Sequence, residues 1–225
     1  MGNATKQIAV DLRHYGVLRT AEDVAIRAVN RVMVFKALKC IKIEEVSQEF
    51  LNCDEKYRGL FLEQDRLRDF AAHPEYELSL SFLDRAFEKG DQCYGFLDGN
   101  VLAAYGWYSS RPTETGWLGL EVRFGPEYVY MYKGFTHARH RGKRLHAIGM
   151  TRALAAYLAR GYKGILSYVE WNNFGSLRSC YRMGYHTFGN IYAAGVSEKH
   201  LMYCDSGCRA IGFRLAPADA GAGSS

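Results

Sequence analysis

The feature that most constrains the fold is a strand, a basic turn and a helix that follow one another over residues 128–160. Residues 128–135 carry aromatic or apolar side chains on both faces, as in a strand that is covered on both sides. The helix ends at Gly161, and a second strand and a short helix follow over residues 165–183. This order predicts a mixed α/β sheet.

The segments around this unit supply the rest of the sheet. Residues 93–108 alternate with a period of two around Asp98-Gly99, which is one of the strongest short-range signals of a β-hairpin. The remaining predictions are helices over 21–30 and 77–89, strands over 33–44, 185–193 and 200–214, and a Gly- and Pro-containing connection over 111–127.

These elements predict an α/β fold, more closely an α+β mixed sheet, with an N-terminal extension that contains a helix and a strand. We expect one domain over residues 21–215, with its core at about 92–195. A flexible segment over residues 1–20 precedes it, and a disordered tail of small residues over 216–225 follows it.

Composition narrows the class of protein. With 48% hydrophobic and 14% aromatic residues, the chain has enough apolar material for a buried core. It contains neither a signal-peptide pattern nor an apolar run of the roughly 20 residues that span a bilayer. The six cysteines lack a repeated CxxC motif, and no further pair completes a zinc site with Cys204 and Cys208. We therefore predict no metal and a cytoplasmic protein.

The positive charge is concentrated in the second half of the chain. Residues 92–225 carry fifteen Lys and Arg against eight Asp and Glu, which favours an anionic ligand. The sharpest cluster lies in residues 139–144, called the basic turn below. The free N–H groups and the dipole at the start of the following helix favour a phosphate there. A solvated surface turn is the alternative, whereas a nucleic-acid site lacks an aromatic platform in this stretch.

A second segment makes this site more specific. Asn173 follows a predicted strand, and the helix after it ends at Gly184-Tyr185. Together with Arg139-x-x-Gly142-x-Arg144, this segment resembles the GNAT superfamily of acyl-CoA-dependent N-acyltransferases. That family has an Arg/Gln-x-x-Gly-x-Gly/Ala turn for the pyrophosphate, a strand that ends in Asn, and a helix that closes with Gly-Phe/Tyr. The resemblance covers roughly residues 92–195, extends in weaker form back to residue 33, and implies a GNAT-like fold.

The resemblance implies that the chain uses acetyl-CoA or another acyl-CoA as co-substrate and transfers the acyl group to a primary amine. The amine would attack the thioester directly within a ternary complex. Backbone N–H groups around 135–137 would stabilise the oxyanion. The implied cofactor-binding residues are Phe135, Thr136, His137, Arg139, Arg141, Gly142, Lys143, Arg144, Leu145, Asn173 and Ser176.

The chain departs from the family pattern at two positions. Arg144 replaces the last small residue of the turn, which crowds the loop but adds a positive charge. Many family members have a tyrosine seven residues after the Asn, as general acid for the departing thiolate. Here that position is Cys180, and Tyr181 follows it, so the tyrosine is rotated by about 100° around the helix. Tyr181, Cys180, water or another tyrosine remain open as the acid.

The general base and the acceptor are also open. The candidates for the base are Glu170, Glu127 and His137. The acceptor is a small-molecule or peptide amine, and the sequence does not identify it. Two alternatives stand beside acetyl transfer from acetyl-CoA: long-chain transfer from an acyl carrier protein or acyl-CoA to an amino acid or glycolipid precursor, and a degenerate CoA- or partner-binding module. A peripheral membrane contact through the basic N-terminal segment is also left open. A homodimer is left open as well.

Overall fold

The computed structural model describes residues 17–197 and 199–218. The α-helices in this part of the chain are α1 Val17–Val29, α2 Gln64–Ala71, α3 Leu80–Lys89, α4 Leu145–Ala159, α5 Phe174–Arg182 and α6 Ser206–Ala210. The strands are β1 Val34–Ile43, β2 Tyr57–Phe61, β3 Gln92–Asp98, β4 Val101–Ser109, β5 Thr113–Glu114, β6 Leu120–Arg123, β7 Tyr128–Thr136, β8 Gly164–Glu170, β9 His186–Val196, β10 Lys199–Cys204 and β11 Arg214–Pro217.

Eight strands form one mixed sheet in the order β10-β9-β1-β8-β7-β4-β3-β2. Every neighbouring pair is antiparallel except β7 and β8, which are parallel. The predicted mixed α/β fold is therefore confirmed. Strand β1 lies between β8 and β9, and its residues Cys40 and Ile41 are fully buried. The predicted N-terminal strand is thus a central strand of the sheet.

Helices cover both faces of this sheet. Helix α4 lies on one face, where Leu145, Ile148 and Leu154 pack against side chains of β1, β3, β4, β7 and β8. On the opposite face, α2 and α3 cover β3 and β4. A small sheet in the order β11-β6-β5, together with α6, covers β1, β8 and β9 on that same face. Burial on both sides explains why successive residues of a central strand, such as Ile165 and Leu166 of β8, are both apolar and buried.

A β-bulge bends β7. Trp107 of β4 pairs with Lys133, but the next residue, Tyr108, pairs with Met131. Tyr132 is therefore the extra residue, and a bulge of this kind increases the local bend of the strand.

Near this bulge, β7 bends away from β8. The two strands pair only from Tyr128 opposite Gly164 to Tyr130 opposite Leu166, although both continue further. The last link is the hydroxyl of Ser167, which donates to the Met131 carbonyl over 2.9 Å. Beyond it the strands are unpaired, and we call this opening the splay.

Most predicted elements are confirmed, and their ends differ for local reasons. The hairpin turns after Asp98, where Gly99 has a φ of 59°. The predicted strand over 200–214 is wrong in its second part, because Asp205 caps the helix α6 there. The predicted connection over 111–127 contains the short strands β5 and β6.

The two predicted flexible segments lie mostly outside the described residues. Residues 1–16 and 219–225 are not described, whereas 17–20 begin α1 and 216–217 end β11. Among the described helices, none has the length and apolar character needed to cross a membrane.

Candidate functional site

An open cleft of about 690 Å³ lies where α4 begins. One wall is the end of β7 and the basic turn, represented by Thr136, Arg141 and Gly142. The opposite wall is α5 and its end. The cleft residues on that wall are Ser179, Arg182 and Met183. The cleft therefore joins the two sequence segments that carry the resemblance.

The backbone of the basic turn leaves the start of α4 open. A short 3₁₀ helix, Ala138–His140, follows β7, and the chain then turns with Gly142 at a φ of 78° and Arg144 at 58°. No side chain caps α4 at Arg144. Its first N–H groups are therefore available to an anion, and the helix dipole adds a positive potential. The two left-handed residues also explain why α4 begins at Leu145, three residues after Gly142.

Several cations surround this helix start. Arg139, Arg141, Lys143 and Arg144 are all exposed. Arg141 donates from Nε to the Thr136 carbonyl at 3.5 Å, at the limit of a hydrogen bond. Exposed guanidinium groups close to free amides form a site suited to phosphate.

The predicted cofactor-binding residues fall into two groups. Thr136, Arg141, Gly142, Arg144 and Leu145 line the cleft. Phe135, His137, Arg139, Lys143, Asn173 and Ser176 are not among its lining residues. Phe135 turns to the opposite face of the sheet, where its ring stacks on Tyr105 with 5.1 Å between the centroids.

Asn173 is the N-cap residue of α5. Its Oδ1 accepts a hydrogen bond of 3.1 Å from the Ser176 N–H and so caps α5. Asn173 thereby fixes the start of the helix that forms the second wall of the cleft.

Glu49 and Phe50 also line the cleft, and sequence reasoning missed them. They belong to a short 3₁₀ helix, Gln48–Phe50, in the connection between β1 and β2. The Glu49 carboxylate accepts a 2.8 Å hydrogen bond from Arg144. Arg152 of α4 holds the segment in place, donating from Nε to the Leu51 carbonyl over 2.7 Å. The Glu49 carboxylate thus forms an ion pair with Arg144, one of the cations of the basic turn.

Neither candidate for the general acid lies in the cleft. The Tyr181 hydroxyl is 2.9 Å from the Thr187 hydroxyl, and the ring is 45% exposed. Cys180 packs against the core beneath α4, and burial raises the pKa of its thiol to about 11. The one-residue shift in the sequence therefore turns the tyrosine towards β9.

The three candidates for the base are dispersed. Glu170 ends β8 at the splay, where its carboxylate pairs with Lys36 at 2.5 Å. Glu127 precedes the opposite end of β7, roughly 30 Å along the strand from Thr136, and lies 3.6 Å from Lys163. His137 accepts a hydrogen bond from the Arg139 N–H through Nδ1. Of the three, only Glu170 and His137 lie at the same end of the sheet as the splay.

The predicted oxyanion donors are only partly available. The His137 N–H donates to the Ala103 carbonyl over 2.9 Å, so it is engaged with β4. The edge of β7 beyond Met131 is unpaired on the side of β8. Donors for an oxyanion must therefore come from this edge or from a side chain near it.

His146 is a second residue that sequence reasoning missed. It is the second residue of α4, it lines the cleft, and its imidazole packs on Gly134 of β7. Its position could not be read from the sequence, because nothing in the spacing of His146 and Gly134 indicates that they touch.

No group of three or more His, Cys, Asp or Glu side chains in residues 17–197 and 199–218 is arranged to hold an ion. All six cysteines are free thiols.

No protein-family model and no curated protein sequence matches this chain. Solved structures do match. A GCN5-related N-acetyltransferase-like protein from Streptococcus suis has a TM-score of 0.51 and 11% identity over 78% of this chain and 67% of its own. A GNAT-family acetyltransferase from Colwellia psychrerythraea has a TM-score of 0.51 and 13% identity over 72% of this chain and 57% of its own.

A tandem GNAT protein from the clavulanic acid biosynthesis pathway is similar at a TM-score of 0.50 and 14% identity, over 73% of this chain and 54% of its own. The chain thus spans between 54% and 67% of the length of these three structures. The mixed sheet with its flanking helices is therefore that of the GNAT fold.

Proposed function

We propose that this protein is an acyl-CoA-dependent N-acyltransferase, with acetyl-CoA as the simplest donor and a primary amine as acceptor. The observation that carries the proposal is the cleft of about 690 Å³ between the uncapped start of α4 and α5, beside the splay of β7 and β8. Its volume, its cations and its free amides suit an extended donor that carries phosphate groups.

In this proposal, the basic turn holds the phosphates of the donor. The N–H groups from Gly142 onwards and the guanidinium groups of Arg141 and Arg144 supply the donors. Arg182 adds a cation from the opposite wall. The rest of the donor then runs towards the splay, where the unpaired edge of β7 offers backbone groups for its amides. Asn173 and Ser176 act by fixing α5 beside it.

The chemical step is attack of the neutral amine on the thioester carbon in a ternary complex. A C–N bond forms, the carbonyl oxygen becomes an oxyanion, and the C–S bond then breaks to release the CoA thiolate. The amine loses one proton to a base, and among the three candidates we select Glu170, because it ends β8 at the splay. Its pair with Lys36 must open for Glu170 to act as that base.

The test is a thiol-release assay with acetyl-CoA and a panel of amines, in parallel with calorimetry of CoA binding. We expect CoA to bind and at least one amine to give release above the rate without amine. Arg141→Ala and Gly142→Ala should weaken CoA binding, whereas Arg85→Ala, on the exposed side of α3, is the matched control. Failure of CoA to bind the wild-type protein would refute the proposal.

A longer acyl chain, delivered by acyl-CoA or an acidic acyl carrier protein, is the alternative within the same reaction. The exposed cations of the basic turn favour it, because they could also contact an acidic carrier. Comparing short-chain and long-chain acyl-CoA with carrier-bound donors in the same assay separates the two.

A second candidate function is donor binding without turnover. It is favoured by the Tyr181 hydroxyl, which contacts Thr187 outside the cleft, and by the Glu170–Lys36 pair. Tight CoA binding with no thiol release on any amine of the panel would support this second function over acyl transfer.

A further inference from the structure

His146 lines two cavities. On one side is the cleft at the start of α4, and on the other is an inner cavity of about 10 Å³ between α4 and strands β3 and β4. The inner cavity is lined almost entirely by apolar and aromatic groups such as Phe96, Ala104 and Met150. The imidazole is therefore a polar group at the inner end of the cleft, with an apolar wall behind it.

The imidazole lies against the part of β7 that borders the splay. A Cβ placed on Gly134 would overlap His146 Cε1 and would lie 3.2 Å from its Nδ1. Gly134 follows the bulge at Tyr132 and belongs to the stretch of β7 that has no partner in β8. A donor that follows this edge from the basic turn to the splay must pass beside the ring.

The surroundings keep this imidazole neutral. Burial lowers the pKa of His146 below its ordinary value of 6.5. Its place in the first turn of α4 acts in the same direction, because the positive end of the helix dipole disfavours a second positive charge. The charged groups that share its cleft are Arg141, Arg144, Arg182 and Glu49, together with His140, so cations predominate.

A neutral imidazole has one N–H to donate and one lone pair to accept. Within residues 17–197 and 199–218, neither ring nitrogen of His146 has a hydrogen-bond partner, although other polar side chains around the cleft are engaged. Neither nitrogen is among the fully buried side-chain atoms that lack a partner, so the ring is accessible to a group that enters the cleft.

We propose that His146, as a neutral imidazole, donates its N–H to the carbonyl oxygen of the donor thioester and stabilises the oxyanion that forms there. The inference rests on the proposed function and names a catalytic group for it. As the amine adds to the carbonyl carbon, the oxygen gains a negative charge and the hydrogen bond shortens; no proton moves to or from the ring. When the C–S bond breaks, the carbonyl re-forms and the thiolate leaves.

A role for His146 as general base would require an imidazolium at the start of α4. That species is opposed by burial, by the helix dipole and by the neighbouring arginines. Donation from a neutral ring requires no such charge, and preorganised donors of this type act most strongly where water is excluded.

Two matched ligands test the contact without turnover. S-acetonyl-CoA keeps a carbonyl next to the reacting position, whereas S-propyl-CoA has the same length and no carbonyl. By calorimetry, we expect the wild-type protein to bind the acetonyl compound about 3- to 30-fold more tightly than the propyl compound. His146→Leu should abolish this ratio and leave the affinity for the propyl compound within about twofold, whereas His146→Gln, which keeps an N–H donor, should retain part of it.

Turnover gives the second readout. His146→Leu should lower kcat by about 10²- to 10³-fold, the usual effect of losing one oxyanion donor, and His146→Gln should recover part of that loss. The acid limb of the pH profile of kcat/KM should be the same in the wild-type protein and in His146→Gln. A limb that vanishes in His146→Gln would overturn the assignment in favour of a base.

The outcomes distinguish this inference from the proposed function. An unchanged ligand ratio in His146→Leu, in a protein that still binds S-propyl-CoA, overturns the role of His146 alone. A ratio that depends on His146 without thiol release from any amine overturns turnover alone. Failure of the wild-type protein to bind either ligand overturns both.

Discussion

Glu49 and Arg144 are 95 residues apart in the chain, yet their side chains form a 2.8 Å ion pair at the mouth of the cleft. Both side chains are about two-thirds exposed, 65% and 64%, so the pair itself adds little to stability. The effect of Glu49 on ligand binding is larger. A carboxylate beside a phosphate site repels the phosphate, and its ion pair with Arg144 competes with the ligand for that cation.

We therefore predict that Glu49→Gln tightens CoA binding, by roughly two- to tenfold at low ionic strength, and that the gain shrinks as salt screens the charges. Calorimetry with CoA at two salt concentrations measures it. Glu45→Gln is the control, since it removes the same charge from an exposed position in the same connection. Equal effects of the two substitutions would mean that only net charge matters.

Sequence reasoning selected those residues of the cleft whose position depends on local backbone, and it missed those whose position depends on distant partners. Gly142 and the cations of the basic turn could be predicted, because a turn before a helix is a local pattern. Glu49 and His146 could not, because each acquires its role from a contact with a segment elsewhere in the chain. For Tyr181, the one-residue shift predicted that the side chain turns away from the expected direction, but its partner Thr187 on β9 could not be predicted from the sequence.

At the scale of elements, the start of α4 depends on a left-handed backbone at Gly142. Its φ is 78°, and a Cβ there would meet open space, so alanine is opposed by conformation alone. We predict that Gly142→Ala lowers the free energy of unfolding by about 1–2 kcal/mol and weakens CoA binding, because the turn relaxes and its N–H groups change direction.

The matched control is Gly116→Ala. Gly116 has a φ of 77° and equally open surroundings, but it lies in the small-sheet connection between β5 and β6. Urea unfolding should show a similar loss of stability for both variants, and calorimetry should show weaker CoA binding only for Gly142→Ala. Unchanged binding in Gly142→Ala would show that the turn does not hold the phosphates.

Helix α6 is held by Asp205, whose Oδ1 accepts from the Cys208 N–H over 3.0 Å and whose Oδ2 accepts from the Asn190 N–H over 2.8 Å. Burial alone would raise the pKa of this carboxyl, but these hydrogen bonds outweigh it, and the pKa lies below its ordinary value of 3.8. The stabilisation is therefore present above pH 3.8 and is lost as the pH falls through the pKa of the folded state.

We predict that Asp205→Asn lowers the free energy of unfolding at pH 7 by about 1–2 kcal/mol, and that the difference from the wild-type protein narrows as the pH falls below 3.8. Urea unfolding at several pH values measures this. Asp65→Asn, at an exposed position in the first turn of α2, should show a much smaller difference at every pH. A constant difference for Asp205→Asn across the range would contradict the carboxylate as its cause.

At the scale of the whole molecule, the sequence favoured a core over 92–195 with an N-terminal extension, whereas the structure makes β1 a central strand. Its partners β8 and β9 lie more than 120 residues later in the chain, and their registers pair Ile41 with Ser167 and with Thr187. Hydrophobic periodicity identifies a strand but carries no information about its partner, which explains why the existence of β1 could be predicted and its place could not.

This placement has a consequence for any attempt to isolate the site. A fragment over residues 90–218 contains the basic turn, α4, α5 and both strands of the splay. Without β1, however, β8 and β9 lose the strand that joins them, and the apolar groups that surround Cys40 and Ile41 become exposed. We predict that it shows no cooperative urea transition and does not bind CoA, because the sheet lacks the strand that joins β8 to β9.

A separate fragment over residues 17–62 supplies β1 and Glu49. Adding it should restore both properties, and the same fragment with Cys40 and Ile41 replaced by Asp should not. Cooperative unfolding of the 90–218 fragment by itself would show instead that β1 is dispensable for the fold.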